Sequence, residues 1–303
     1  MNLLVTGAAG FIGSALTTAL RADGHTVTAL DDLSVTSPRP RPDHLIERDV
    51  RTLEPGDLDG IHTIVHLAAH KSVPRSFTVG AFERNTAVDR HIIHTFAASG
   101  AGRLLLASSC EVYGQQSGQL AESAPHQPRS PYAAGKSATE HLADIYRHRL
   151  GPGRQIGVAR LFNTYGPWED GDAVVPAFLD AALADRPLTI EGTGTQARDL
   201  NHVDDTVTML GRILAADRLL PVVNIGSGHA TTVLDLAEAI IRTTGRGTIT
   251  HTAPRPNEIH SFTADMTLFT SIYGMPPGRP LDQALADTAR ARALLWSPAG
   301  ELR

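Results

Sequence analysis

Asn2-Leu3-Leu4-Val5-Thr6-Gly7-Ala8-Ala9-Gly10-Phe11-Ile12-Gly13 decides the fold. The first five residues read as a short buried strand. Glycines at 7, 10 and 13 follow at once, and a helical pattern then runs to about Ala22. Thr26 to Leu30 reads as a second strand, closing on Asp31-Asp32. Strand, glycine-rich turn, helix, strand and acid is a dinucleotide-binding arrangement. Gly7, Gly10 and Gly13 allow a tight turn and a close approach of backbone to a pyrophosphate. The helix N-terminus at Phe11 and Ile12 faces that anion. Asp31, with Asp32 beside it, is placed to accept from the adenosine ribose hydroxyls, where a 2′-phosphate would meet negative charge, so the expected cofactor is NAD rather than NADP. Taken by themselves, the glycines would also suit an ordinary βαβ turn.

Working outward, Ile61–Leu67, Arg103–Ser108 and Gln155–Leu161 read as buried strands, with a helix over Ala81–Ser99. The alternation predicts an α/β fold with a doubly wound parallel sheet of the Rossmann kind. Asp49 and Val50, after a third strand, fall where an adenine ring would lie. Beyond Pro167 the pattern loosens: a helix over Ala173–Asp185, a strand at Leu188–Glu191, a turn at Gly192–Gly194, then helices over Asp204–Ala215 and Val233–Thr243 around a strand at Val222–Ile225. The segment after Arg255 is mixed and ends in a helix near Leu281–Leu295. The expected division is an NAD-binding part over 1–165, joined again by about 197–228, and a smaller mixed C-terminal substrate lobe within 166–303.

The 303 residues are ample for a core, and 42% apolar with 19% charged residues fits a globular chain. A net charge of −5 gives no basic footprint for nucleic acid. One cysteine excludes an intramolecular disulfide framework and suits a reducing cytoplasm. No export leader or membrane-length apolar run is visible, so the expectation is a cytoplasmic protein away from membranes. His25, His62 and His94 lack metal-ligand spacing, and no metal is expected.

Ser130-Pro131-Tyr132-Ala133-Ala134-Gly135-Lys136 opens an amphipathic run ending near Leu150. Ser130 suits a cap and Pro131 a first turn. Tyr132 and Lys136 are four apart, so they share one helical face. A phenol ordinarily ionises near pH 10, and an ammonium beside it favours the phenolate. Lowering that value to about 7 takes roughly 4 kcal/mol of differential stabilisation, at about 1.36 kcal/mol per unit. Such a tyrosine can remove a proton from a sugar hydroxyl while hydride leaves the same carbon. A surface Tyr and Lys on a helix is the alternative for the pair alone.

Together with His66-Leu67-Ala68-Ala69, Ser108-Ser109-Cys110-Glu111-Val112-Tyr113-Gly114, Arg160 to Pro167, Gly192 to Asp199 and Val203-Asp204-Asp205, these motifs cover most of the chain. They resemble the extended short-chain dehydrogenase/reductases acting on nucleotide sugars. The resemblance implies Tyr132 as base, Lys136 as its activator and Ser109 as the hydroxyl that bonds substrate and tyrosine. It implies cofactor contacts at Leu67, Ala68, Ala69, Asn85 and Phe162, with Lys71 near cofactor and substrate. Arg75, Ser109, Asn163, Val175, Arg198, Arg255 and Glu258 are the implied substrate contacts; arginine suits a nucleotide diphosphate because its fork pairs bidentately with phosphate oxygens. The family often has Tyr where this chain has His202. It also implies a homodimer through Ala81–Ser99 and Tyr132–Leu150.

The subtype turns on Ser109-Cys110-Glu111. Simple 4-epimerases usually carry no acid in the third position, whereas 4,6-dehydratases and uronate decarboxylases do. The Cys-Glu pair, with His70 to Ser76 and Pro254 to Ile259, resembles the 5,6-dehydratase branch that acts on UDP-N-acetylglucosamine in tunicamycin biosynthesis. This implies oxidation of a UDP-hexose at C4, loss of the C5 proton to Glu111, departure of the C6 hydroxyl with a proton from Cys110, and return of hydride to C4. A 4-epimerase, a 4,6-dehydratase and a catalytically silent NAD-binding sensor remain alternatives. The plainer reading makes Cys110 a small filler and Glu111 a solvated side chain.

Overall fold

A strand buried on both faces needs apolar residues throughout, and β1 (Asn2–Thr6) has them: Leu3, Leu4 and Val5 are all within 3% of full burial. The computed structural model describes residues 1–35, 37–77, 80–171, 173–254 and 259–295. In it β1 lies between β2 (Thr26–Asp31) and β4 (Thr63–His66). β3 (Ile46–Glu47), β5 (Arg103–Ser109), β6 (Gln155–Leu161) and β10 (Val223–Ile225) complete a seven-stranded parallel sheet in the order β10-β6-β5-β4-β1-β2-β3. The order reverses beside β1, which opens a crevice at the carboxyl ends of β1 and β4, where such sheets receive ligands.

Successive strand residues point to opposite faces, so each face packs its own helices. Leu3 and Val5 join the core under α1 (Phe11–Ala22) and α6 (Val203–Ala215). Leu4, Ile64 and Leu104 join the core under α3 (Ala81–Ala98) and α4 (Pro131–Arg149). A short helix, α2 (Val73–Ser76), precedes α3. The start of α4 follows the sequence expectation: Ser130 Oγ accepts from the Ala133 amide at 3.1 Å, and Pro131 fills the first turn. No helix among the described residues is long and apolar enough to cross a membrane.

After β6 the chain passes through Phe162 into β7 (Asn163–Tyr165), which pairs with β9 (Ala197–His202) of a second, mixed sheet. β11 (Ala230–Thr232) and β13 (Ser261–Phe262) also pair with β9, and β8 (Leu188–Glu191) pairs with β12 (Ile249–Thr252). Helices α5 (Val174–Leu183), α7 (Val233–Thr244) and α9 (Leu281–Ala293) bury Leu179, Ile240 and Leu285 against Ile190. A further helix, α8 (Thr267–Tyr273), lies in the segment the sequence left as mixed. The strands around β9 carry no continuous apolar run. Ala197–His202 reads Ala-Arg-Asp-Leu-Asn-His, and its buried positions include Asp199, Asn201 and His202.

Candidate active site

The carboxyl end of β5 turns directly into chemistry. Ser109 closes the strand, and its Oγ accepts from the Glu111 amide at 3.3 Å, capping a 3-10 turn over Cys110–Tyr113. That cap fixes Ser109, Cys110 and Glu111 at one strand tip. The start of α4 brings Tyr132 to the same place. A cavity of about 130 Å³ is lined by Ser109, Cys110, Glu111 and Tyr132, together with Lys71, Val73, Leu161, Phe162 and Asn163. Seven residues expected at the site, from four separate stretches of sequence, thus converge, and Val73 and Leu161 join them unforeseen.

Burial governs the electrostatics. Cys110 is 2% exposed; burial pushes its thiol well above the ordinary value, and Glu111 acts in the same direction. The Tyr132 phenol is also raised, by burial first, with Ser109 hydrogen-bonding it in opposition and Glu111, Cys110 and Asp89 adding to the rise. This differs from the expectation that Lys136 pulls the phenol down. The Lys136 ammonium is itself buried and ion-paired, its Nζ 3.2 Å from Asp89 Oδ2, so its positive charge is largely compensated before it reaches the phenol. Asp89 had no place in the sequence reading.

Behind the turn lies a buried polar network. Ser108 Oγ donates to Glu140, whose other oxygen takes Arg160 Nη2 at 2.7 Å. Arg160 Nη1 donates to the Tyr113 hydroxyl at 2.8 Å, and that hydroxyl donates to Asn224 Oδ1 at 2.7 Å. The network ties β5, α4, β6 and β10 behind the Ser109–Glu111 turn. Burial raises Glu140, but His126 and Arg160 more than offset it and hold the carboxyl at about 2.

The cofactor residues fit a dinucleotide. Gly7 has φ +70°, and a β-carbon there would lie 2.6 Å from the Ala68 amide nitrogen, so the turn admits glycine alone. Gly10 caps α1 with no side chain, and the amides of Phe11, Ile12 and Gly13 form its first turn, the usual seat for a phosphate. Asp31 is 5% exposed; its Oδ2 accepts from the Ala9 amide at 2.9 Å and its Oδ1 from the Leu33 amide at 2.8 Å. The carboxylate therefore shapes the glycine loop. Asp32 instead accepts from the Ser34 hydroxyl at 2.6 Å.

Other expected contacts carry structural duties. Asp49 caps the 3-10 turn Val50–Thr52 and pairs with Arg51 at 2.6 Å, and Val50 is buried. The Leu67 amide donates to Thr6 O at 3.1 Å, and Ala68 and Ala69 are half-buried just after β4. Asn85 braces the loop after β4, accepting from the His70 amide at 2.9 Å and donating to its carbonyl at 3.1 Å. Lys71 Nζ lies 3.6 Å from Asp170 Oδ2 and 5.6 Å from the Phe11 ring centre. Arg198 Nη1 donates to the Ile259 carbonyl at 2.8 Å. Arg75 is exposed on α2. Val175 is 1% exposed within the core of the second lobe and does not line the cavity, because its helix turns that face toward α7 and α9. His202 caps α6, accepting from the Asp204 amide at 3.3 Å. Arg255 and Glu258 lie outside the described residues.

Residues 3–226 match the NAD dependent epimerase/dehydratase family, and the chain belongs to it. It is an enzyme of that family, with an extended short-chain dehydrogenase/reductase fold and NAD as cofactor. A dTDP-glucose 4,6-dehydratase of Streptomyces niveus is 32% identical, over 98% of this chain and 95% of that protein. Among solved structures, TunA, an NAD-dependent NDP-hexosamine 5,6-dehydratase involved in tunicamycin biosynthesis, is 38% identical with a TM-score of 0.90, over 96% of this chain and 97% of that one. MoeE5, solved with UDP-glucuronic acid and NAD, is 34% identical with a TM-score of 0.89, over 97% and 99% of the two chains.

Proposed function

We propose that this protein is a nucleotide-sugar 5,6-dehydratase acting on a UDP-hexose, with UDP-N-acetylglucosamine as the expected substrate. The observation that carries the reading is the convergence of Ser109, Cys110, Glu111 and Tyr132 on one cavity, with the Cys110 thiol held protonated by burial. The likeness to TunA supports the same reaction class. NAD, when bound, supplies the hydride acceptor at C4 and the donor for its return. Tyr132 takes the C4 hydroxyl proton at its phenol oxygen while Ser109 hydrogen-bonds both partners. The C4 ketone acidifies the C5 proton, which Glu111 removes. Cys110 gives its thiol proton to the C6 hydroxyl, which leaves as water, and the C5–C6 double bond takes the electron pair. Tyr132 returns its proton to the C4 oxygen as the hydroxyl is restored, leaving an exocyclic alkene.

A 4,6-dehydratase is the second reading, favoured by the Streptomyces niveus relative. It shares every proton transfer up to loss of water and differs in where hydride returns. A 4-epimerase would need only the oxidation half. Incubation with a panel of UDP- and dTDP-sugars, followed by mass spectrometry and proton NMR, separates these. Loss of water with vinyl protons is the expected result. A methyl doublet would indicate the 4,6 reaction, and an unchanged mass with a new sugar configuration an epimerase.

We also propose a homodimer through α3 and α4, where Phe82 and Ile145 stand 38% and 55% exposed. Light scattering across micromolar concentrations should give twice the chain mass of 32.3 kDa, and a monomer mass would exclude it.

A further inference from the structure

Four elements meet at one buried carboxylate. Asp89, on α3, is 1% exposed. Its Oδ2 accepts from Lys136 Nζ at 3.2 Å and from Thr139 Oγ1 at 2.6 Å, both on α4. Its Oδ1 lies 3.0 Å from Nε2 of His66, the last residue of β4, and His66 Nδ1 lies 2.7 Å from the Thr6 hydroxyl at the end of β1. An ionised carboxylate survives such burial only with partners of this kind. Packing alone does not ask for one: elsewhere along the α3–α4 contact, Gly135 lies against Phe82 and the Thr86 methyl.

We propose that Asp89 is a positioning residue for the base: it holds the Lys136 ammonium one helical turn from Tyr132 and screens that charge, and so sets the pH at which the Tyr132 phenol gives up its proton. The inference rests on the reading of Tyr132 as the base. Lys136 favours the phenolate from α4, and Asp89, held by His66 and Thr139, opposes it from α3. Cys110 and Glu111 oppose it from the turn after β5, where Ser109 supports it, and Lys71 faces it across the cavity. With the Lys136 and Asp89 charges paired, the phenol keeps its proton strongly. Less of Tyr132 is then phenolate at a given pH, but the phenolate that forms is the stronger base for the C4 hydroxyl proton.

The test is an ultraviolet difference titration of tyrosinate in NAD-loaded protein, with Tyr132→Phe identifying the component that belongs to Tyr132. It is paired with the pH profile of UDP-sugar turnover. Removing one nearby negative charge should move that component, and the acidic limb of the profile, down by about one unit in Asp89→Asn, or about tenfold more phenolate at a fixed pH. Asp89→Glu should move both back toward the native position. Asp89→Thr keeps a hydroxyl acceptor for Lys136 without charge and should give the same downward shift if Asp89→Asn does not fold. A component and profile that stay put while turnover falls would reduce Asp89 to packing and overturn the proposal. Near-native turnover in Tyr132→Phe would instead overturn the reading of Tyr132 as base, whatever Asp89 does.

Discussion

The carboxylate of Asp31 accepts the Ala9 amide at 2.9 Å, so the acid closing β2 also holds the glycine-rich loop in shape. The proposed discrimination against NADP and the integrity of the loop would then share one side chain. NAD should bind cofactor-stripped protein at least tenfold more tightly than NADP. Asp31→Ala should weaken both rather than simply admit NADP. Calorimetry checks this, and equal native affinities, or an Asp31→Ala variant that binds NADP better than the native chain, would refute it.

A β-carbon on Gly13 would lie 2.0 Å from the Gly7 carbonyl oxygen, with backbone and no flexible side chain in the way. Gly13→Ala must therefore shift the turn against α1. Cofactor affinity should fall by about tenfold or more, alongside a loss of stability of the order of 1–3 kcal/mol. Fluorescence titration with NADH and thermal melts measure the two effects.

Tyr132→Phe keeps the ring and removes the proton acceptor. Turnover should fall by about 10² or more, the usual scale for an acid–base group, with UDP-sugar affinity nearly unchanged. Calorimetry with substrate and steady-state rates provide the comparison.

Glu111 and Cys110 should separate by isotope. In deuterium oxide, Glu111→Gln should stop exchange at C5 while C4 oxidation remains possible, seen as bound NADH absorbance. Cys110→Ala should still exchange C5 but eliminate water slowly. Undiminished exchange in the first variant would remove Glu111 from the role of base, and full dehydration by the second would make Cys110 a filler.

Acid should attack the scaffold behind the site. Glu140 is held at about 2 in the fold against an ordinary value of 4.5. Its folded value is the lower one, so its contribution is fully present above about 4.5 and is lost as pH falls toward 2. At about 1.36 kcal/mol per unit the shift corresponds to about 3 kcal/mol. Asp89, held at about 2 against 3.8, titrates in the same direction. Melting temperature should fall between pH 5 and pH 2 along a curve that is shallower in Glu140→Gln.

The parts of the site that were legible in the sequence are local ones. Strand, glycine turn and helix are contiguous in Asn2–Ala22, and Tyr132 and Lys136 share a face through helical spacing alone. The order Ser109-Cys110-Glu111 follows a strand whose end must lie at the sheet's carboxyl edge. What escaped depends on partners distant in sequence. Lys136 meets Asp89 across the packed α3 and α4, which no spacing rule relates. The bonds that tie the Asn85 amide at both ends to His70 are likewise set by the fold and not by spacing. Val175, a substrate contact implied by the resemblance, lies on the side of α5 that faces the second core. β9 escaped because its buried positions include Asp199, Asn201 and His202, which leave no apolar pattern.

β10, made after β9 of the second sheet, is the strand that covers the outer edge of β6. As the chain emerges from the ribosome, the cofactor-binding sheet can assemble from β3 through to β6, but it then waits with one long parallel edge open until Val223–Ile225 has been made. Throughout that interval the exposed ladder of β6 is free to pair with another nascent chain. Slow translation of the intervening lobe should therefore lower the yield of native protein.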